Sequence, residues 1–313
     1  MIEFSEQGSE KVLVTSALPY IHGMPHLGNI IGSVLPADVY SRFQRLKGKD
    51  VLYICASDSH GTMYEIEAEE RGIETEEFVY SQHERVQELF DLLNLNFSYY
   101  GITDSKENRE VTYRIFEGLD KNGYVDEKTI ELPYCMNCER FLADRWIEGE
   151  CPHCGGLARG DQCDDCGKLL KPEEIVDPYC VHCGEERIEF RESDHLFFQL
   201  QDFEGWLKDW TGGRCKTKVT RNQTNSWLRK GLEERCITRD SDWGFPVPKE
   251  GYEDKVFYVW FDAPIGYIGA TVSWAEENGE DWEDWWMDDD VKYVQFLGKD
   301  NIIFHTIIFP AML

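Results

Sequence analysis

Lys11-Val-Leu-Val-Thr-Ser-Ala17-Leu18, followed by Pro19-Tyr20-Ile-His-Gly-Met-Pro-His26-Leu-Gly28-Asn29, is the stretch whose reading decides the fold. Its first eight residues are an apolar run of the length of a buried strand. Pro19 and the segment Gly23 to Pro25 then break the chain, and helical periodicity takes over from about Leu27 to Leu46. Strand, loop and helix in that order place a polar loop at a helix N-terminus, where free N–H groups and the dipole favour anions. Gly28 leaves room for a flat ring or a phosphate to approach the backbone. Neither G-x-G-x-x-G nor G-x-x-x-x-G-K-[ST] occurs, so this loop is neither the dinucleotide fingerprint nor the Walker loop.

The alternation continues outward. Asp50 to Ala56 is a second apolar run, ending in the polar loop Ser57 to Thr62, and helical patterns cover Met63 to Glu70, Glu76 to Leu93 and Glu107 to Asn122. Between Glu131 and Glu189 the pattern dissolves into Cys, Gly, Pro and charged residues, which reads as an insert. Helices are expected again near Phe203 to Thr211 and Thr220 to Glu234, then a strand over Lys255 to Asp262, a helix over Pro264 to Asn278 and a strand over Val291 to Leu297. The acidic, Trp-rich stretch Glu276 to Asp290 reads as a surface loop. Alternating β and α units predict an α/β fold around a Rossmann-like parallel sheet. Its expected division is 1–128 for the first half, 129–236 for a connective insert and 237–313 for the second half.

At 313 residues, with 42% hydrophobic and 13% aromatic side chains, the chain can bury a proper core, which excludes a disordered protein. The start, Met1 to Glu10, has no basic segment and no apolar run, and no run approaches the roughly 18 residues of a membrane span. The expectation is a soluble, cytoplasmic protein with no membrane partner. A net charge of -28 repels nucleic acid as a whole, so any RNA contact must use a local basic patch. The span Arg214 to Arg239 is such a patch, with eight basic residues against Glu233 and Glu234; a solvated amphipathic helix is its plainer explanation.

The insert holds four C-x-x-C pairs: Cys135 and Cys138, Cys151 and Cys154, Cys163 and Cys166, Cys180 and Cys183. Each such turn can place two thiolates on one metal, and two turns complete a tetrahedral site, so eight ligands make two closed structural zinc sites. Spacing alone also suits an iron–sulfur cluster or a redox dithiol. Pairing is not fixed by sequence; the favoured arrangement joins the middle two pairs on one ion and the outer two on the other. Gly155, Gly167 and Gly184 follow the second Cys of three pairs, where a tight turn benefits from positive φ. Cys55, Cys215 and Cys236 have no partner at metal spacing and read as ordinary thiols.

His26-Leu-Gly28-Asn29 resembles the HIGH signature of the class I aminoacyl-tRNA synthetases, and Ala17-Leu-Pro-Tyr20 before it resembles the methionyl-tRNA synthetases in particular. Further similar segments follow in order: Ala56-Ser-Asp58-Ser-His60-Gly61-Thr62, Val259-Trp260-Phe-Asp262-Ala263-Pro264-Ile-Gly266-Tyr267, Gly298-Lys299-Asp300, and Phe304-His305 with Pro310-Ala-Met-Leu313. The four-pair insert resembles the archaeal and related forms. The resemblance implies methionine activation with ATP and transfer to tRNA(Met). His26 and Asn29 would be catalytic, stabilising the ATP phosphates as the amino-acid carboxylate attacks, with Gly28, Gly298, Lys299 and Asp300 also on the nucleotide. Asp58 would pair with the ammonium group of L-methionine, and Ala17, Leu18, Tyr20, Trp260, Ala263, Pro264, Tyr267, Phe304 and His305 would line the pocket for its thioether. ATP with Mg2+ and the acceptor end of tRNA(Met) are the implied partners, with two structural Zn2+ in the insert.

Asn29 departs from HIGH at the last position, where it can donate a hydrogen bond but carries no charge. Met63 stands where a Pro is expected and Phe309 where many relatives carry Trp, swaps that could tune the pocket. The family's second, lysine-rich KMSKS signature and its helical anticodon-binding part do not occur within the 313 residues. A stretch that binds methionine and ATP yet activates poorly is therefore expected. A non-catalytic RNA-binding or regulatory relative is the competing explanation, and a zinc-ribbon module of unrelated fold is supported by the Cys pairs alone.

Overall fold

The computed structural model describes residues 10–142, 144–160, 163, 165–168 and 170–313. Of the polar N-terminal stretch only Glu10 falls among them. No helix of the described residues is long and apolar enough to cross a membrane.

The centre is strand β1 (Lys11–Ser16), followed by the helix α1 (Leu35–Leu46) and strand β2 (Asp50–Ser57). Helices α2 (Thr62–Arg71) and α3 (Thr75–Leu92) lead to a short strand β3 (Tyr99–Ile102), which the sequence pattern did not reveal. Helix α4 (Lys106–Lys121) follows; Ser105 caps it by accepting from the Asn108 amide at 3.2 Å. Strands β4 (Val125–Cys135) and β5 (Ile188–Phe198) belong to the insert, and after α5 (Lys218–Lys230) and α6 (Val259–Asn278) the chain returns to the sheet as β6 (Lys292–Phe296).

The sheet order is β6-β1-β2-β3, all parallel, with Val12 beside both Lys292 and Val51 and Ile54 beside Tyr99. Both faces of the central strands are buried, which is why they read as continuous apolar runs. Val12, Val14 and Tyr53 pack with Ala37 of α1 on one face. Leu13, Leu52, Ile54 and Ala56 pack with Ala270 of α6 and with Trp285 on the other. The sheet runs outward from β1 to β3 and then crosses back to β6, so β1 and β6 flank the switch point where binding loops diverge. The Ala17 amide donates to the Phe296 carbonyl at 2.8 Å, which fixes the two loop bases side by side.

Helix α6 crosses α4 so closely that a Cβ on Gly269 would lie 2.6 Å from Asn108 Cα, a backbone atom. Gly269→Ala must separate the helices, and a thermal melt is expected to show a loss of about 1–3 kcal/mol. An unchanged melting temperature would mean that this packing is looser than the structure has it.

Three expectations are corrected. Lys255 to Asp262 is not a strand: pairing stops after Val256–Phe257, and the helix begins at Val259. The β-branched and aromatic run misled because Phe261 and Ile265 are buried on a helix face, where tertiary packing overrides propensity. Glu276 to Asp290 is not merely a surface loop, since Trp285 is buried under the sheet and Trp286 donates from Nε1 to Thr271 Oγ1 at 3.0 Å. Finally, 131–189 is not wholly irregular. Strands β4 and β5 pair antiparallel over eleven residues, from Val125 with Phe198 to Cys135 with Ile188, and carry the Cys-rich module at their far end. Much of this ribbon faces solvent, so it has no clean apolar alternation to announce it.

The module packs back onto α2, where Ile66 and Met63 join Leu142, Trp146 and Ile147 in one apolar cluster. His182 Nδ1 and Arg140 both meet Glu69, and Arg140 lies 3.9 Å from Glu65.

Candidate functional site

The loop after β1 is built around a reciprocal cap. His26 N–H donates to Asn29 Oδ1 at 3.1 Å, and the Asn29 amide donates to His26 Nδ1 at 3.3 Å. Accepting at Nδ1 puts the proton of the neutral ring on Nε2, and accepting at Oδ1 leaves the Asn29 NH2 as its donor. Both side chains are exposed, so each offers an N–H outward. A Cβ on Gly28 would come within 2.7 Å of the His26 ring, so only glycine lets the ring lie against this turn. The helix opens with the turn Leu27–Asn29 and a π-type turn over Ile30–Val34 before α1.

The second loop, after β2, is tied to the first. Asp58 N–H donates to the Pro19 carbonyl at 2.9 Å, Tyr64 Oη receives the Ile21 amide at 2.7 Å and itself donates to the Asp58 carbonyl. Asp58 is only 6% exposed, and its Oδ1 has no hydrogen-bond partner among the described residues. Burial, then the nearby Asp262, pushes its pKa well above the usual carboxylate range, while His60 pulls the other way.

Aromatic residues surround these loops. The rings of Trp260 and Phe304 stack at 3.9 Å between centroids. Tyr20 stands 4.8 Å from Tyr64 and 5.0 Å from His22. Ala263, Pro264 and Tyr267 are buried on α6, and Leu18 is half-buried against three core clusters. Tyr267 Oη lies 2.8 Å from His305 Nε2, and His305 Nδ1 lies 2.8 Å from the Asn301 carbonyl. A carbonyl can only accept, so Nδ1 carries the proton, Nε2 accepts, and Tyr267 donates. Burial pulls His305 down to about 4, which keeps the ring neutral. Gly298, Lys299 and Asp300 follow β6 as a short turn with the two charged side chains exposed.

The eight insert cysteines form two groups, Cys135, Cys138, Cys180 and Cys183, and Cys151, Cys154, Cys163 and Cys166. Outer pairs thus meet outer, and middle meet middle. Sulfur separations are 3.5 Å for Cys135 and Cys183, 3.8 Å for Cys138 and Cys180, 3.9 Å for Cys151 and Cys166, and 3.6 Å for Cys154 and Cys163. Four thiolates bound tetrahedrally at ~2.3 Å lie about 3.8 Å apart, so both groups fit a metal ion. Gly155, Gly167 and Gly184 have φ of 74°, 68° and 70°, and each donates its N–H to the carbonyl of the first Cys of its turn. In the remaining turn Glu139 takes the same conformation at φ 54°.

The family model described as tRNA synthetases class I (M) matches residues 12–313. The chain belongs to the methionyl branch of the class I tRNA synthetases. Methionine–tRNA ligase 1 of Acaryochloris marina is 48% identical over 96% of this chain and 54% of its own length. The methionine–tRNA ligase of Treponema denticola is 50% identical over 97% of this chain and 39% of its own. The chain thus spans about half the length of the curated relatives it matches. A solved Mycobacterium tuberculosis methionyl-tRNA synthetase in complex with methionyl-adenylate has a TM-score of 0.73 at 23% identity, covering 97% of this chain and 54% of that one, and supports the shared fold.

In this synthetase chain, three residues beside Asp58 escaped the residue-by-residue reading. His60 and Asp262 are buried and lie 2.6 Å apart, and Trp243 donates from Nε1 to the Ser59 carbonyl at 2.7 Å. His60 and Asp262 lie inside quoted segments, so a search for complementary charges could have paired them; nothing in the sequence announced Trp243. Met63 does not face this site: its sulfur lies 4.0 Å from Arg159 of the insert. Phe309 is buried 6.2 Å from both Tyr267 and Trp286, beneath the aromatic wall. Cys55 and Cys215 are buried and Cys236 half-buried, apart from both metal-competent groups.

Proposed function

We propose that this chain carries the methionine-activating site of a methionyl-tRNA synthetase. It binds L-methionine and ATP with Mg2+, joins them as methionyl-adenylate with release of pyrophosphate, and offers the adenylate to the acceptor end of tRNA(Met). The observation that carries this is Asp58, whose buried Oδ1 has no hydrogen-bond partner among the described residues and whose backbone is held by Tyr20 and Tyr64. An α-ammonium satisfies it.

The substrate carboxylate oxygen attacks the α-phosphorus, and the bond to the pyrophosphate oxygen breaks as charge moves onto the leaving phosphates. His26 Nε2–H and the Asn29 amide supply donors where that charge grows, and Gly28 lets the nucleotide approach. Gly298 and Asp300 suit the ribose, with Lys299 beside them. No side chain needs to become a nucleophile, so the work is alignment and charge stabilisation. The thioether lies among Tyr20, Trp260, Tyr267 and Phe304, with Ala17, Leu18, Ala263, Pro264 and His305 completing the pocket.

The donor set of four thiolates per site fits Zn2+ in a closed, structural role. Unbridged thiols fit a reducing compartment, the cytoplasm. The tRNA surface we assign is 214–239: Arg214 lies over Trp210, which stacks on Trp206, and α5 carries Lys218, Arg221, Arg229 and Lys230. Stacked rings with guanidinium groups suit unpaired nucleotides.

Calorimetric titration with L-methionine and with L-leucine tests the reading, with methionine binding alone expected. Tyr267→Phe removes the donor to His305 and is expected to weaken methionine about 2- to 13-fold, the worth of one hydrogen bond. Equal binding of both amino acids, or of neither by folded protein, overturns the assignment.

A further inference from the structure

Four ionisable side chains converge beneath the loop after β2. His60 is 1% exposed and Asp262 0%. The His60 ring lies between two carboxylates, with Nδ1 2.6 Å from Asp262 Oδ2 and Nε2 3.4 Å from Asp104 Oδ1. An imidazole with an ionised acceptor on each side must donate from both nitrogens, and only the imidazolium does so.

The cradle is rigid on every side. Phe245 and Trp243 present ring edges to His60 at 4.6 and 5.9 Å, and Trp243 is pinned to Ser59. Ser59 N–H donates to Thr103 Oγ1 at 2.9 Å, and the Asp104 amide donates to Ser59 Oγ at 2.8 Å. Tyr80 Oη donates to the Asp104 carbonyl at 2.9 Å. The other titratable groups here are Glu65 on α2, tied to Ser241 and to the Asp242 amide, and the hydroxyls of Tyr20, Tyr64 and Tyr267.

Charge counting then decides what the cluster can do. Asp58 and Asp262 each keep one buried oxygen without a hydrogen-bond partner among the described residues. With both ionised, the imidazolium leaves one net negative charge in the buried part, which one ammonium group matches. Without the imidazolium two like charges remain, and one carboxyl must hold a proton.

We propose that His60 is a positioning residue for amino-acid binding: its imidazolium, clamped between Asp262 and Asp104, cancels the Asp262 charge and lowers the cost of ionising Asp58 as the substrate ammonium arrives. This rests on the assignment of Asp58 above. Burial alone would lower the His60 pKa, but Asp262 and Asp104 outweigh it and raise it to about 10. The stabilisation from this raised group is complete below its unfolded value, declines above it and is gone once pH has risen through about 10, whereas the ring itself stays protonated in the fold up to that point. The clamp therefore persists through neutral pH. Removing His60 deletes the pull that favours ionised Asp58 and leaves the opposing push from Asp262.

The test is methionine affinity measured calorimetrically from about pH 6 to about pH 9 in buffers of differing ionisation heat. Wild type is expected to show the shallower rise of affinity with pH, since Asp58 is itself held above the usual carboxylate range. His60→Gln is expected to lose at least about tenfold at neutral pH, equivalent to one unit of pKa, with affinity rising more steeply with pH than in wild type and more proton released on binding. The double variant His60→Gln with Asp262→Asn removes both charges and should regain affinity and the shallower wild-type profile. In wild type, 15N shifts of the His60 ring should report imidazolium to about pH 9.

The proposal is overturned if His60→Gln lowers thermal stability but keeps the wild-type profile, if the double variant binds no better than the single, or if His60 titrates near its ordinary pKa. Asp58→Asn, run alongside, separates the two ideas: full affinity there removes the Asp58 assignment itself.

Discussion

Asp58→Asn is expected to abolish methionine binding while raising the stability of the empty protein. The side chain is isosteric, so the backbone contacts from Asp58 to Pro19 and Tyr64 remain. What disappears is the charge. Truncating one partner of a buried charged pair costs about 2–5 kcal/mol, which corresponds to roughly 30- to 5000-fold in affinity. The sign on stability is opposite because Asp58 Oδ1 is buried without a hydrogen-bond partner among the described residues. Its folded pKa is raised by burial and by Asp262, so its favourable contribution exists below the unfolded value and is lost as pH rises through the raised one. At neutral pH the wild type bears the cost of an ionised or proton-binding buried carboxyl, and the amide variant does not. Melting curves should therefore show the variant above wild type without methionine, and only wild type moving upward when methionine is added. A variant that melts lower and still binds would sink the receptor role of Asp58.

The parts of this molecule that were legible in the sequence are those where physics leaves one solution. β1 and β2 are buried on both faces and gave uninterrupted apolar runs. The paired turns announced themselves because two thiolates on one ion need a short, fixed spacing, and three of the four positive-φ positions carry glycine. Where burial is partial, the signal faded. The β4 and β5 ribbon has charged residues along its solvent-facing positions, so its eleven-residue pairing was invisible. β3 is a four-residue edge strand, too short for a periodicity. The start of α6 failed for the opposite reason, since Val256 to Phe261 has strand-like residues in a context that a helix buries.

The site divides along the same line. Asp58, Trp260 and His26 stand in segments that resemble a family, and could be named one at a time. The clamp around His60 joins residues 44 and 202 positions apart, and such a pair exists only once the loop after β2, the turn after β3 and α6 have been brought together. Sequence spacing carries no information about that meeting. Complementary charge buried at both ends is the one trace it leaves.

Removing metal from the insert is the second change expected to have a large effect. In the module's apolar cluster four of the buried residues are Cys135, Cys151, Cys163 and Cys180, so much of what could serve as a core consists of ligands. Metal binding at closed thiolate sites supplies about 10–16 kcal/mol per ion to folding, far more than so small a cluster provides. A strong chelator should unfold the module, and Trp146, now 2% exposed, should shift its emission to longer wavelength as it meets water. The two groups should not be equivalent. Cys135 and Cys138 sit at the end of β4, and His182, inside the Cys180 to Cys183 turn, pairs with Glu69 on α2, the helix that follows the Asp58 loop. The middle group reaches α2 through Arg159 and Met63. Cys180→Ser should therefore weaken methionine binding by several-fold, about 1 kcal/mol, and Cys163→Ser by less, with each variant binding one metal where wild type is expected to bind two. Equal losses from both variants, or a Trp146 emission that ignores the chelator, would separate the module from the site and leave α2 held by its own packing.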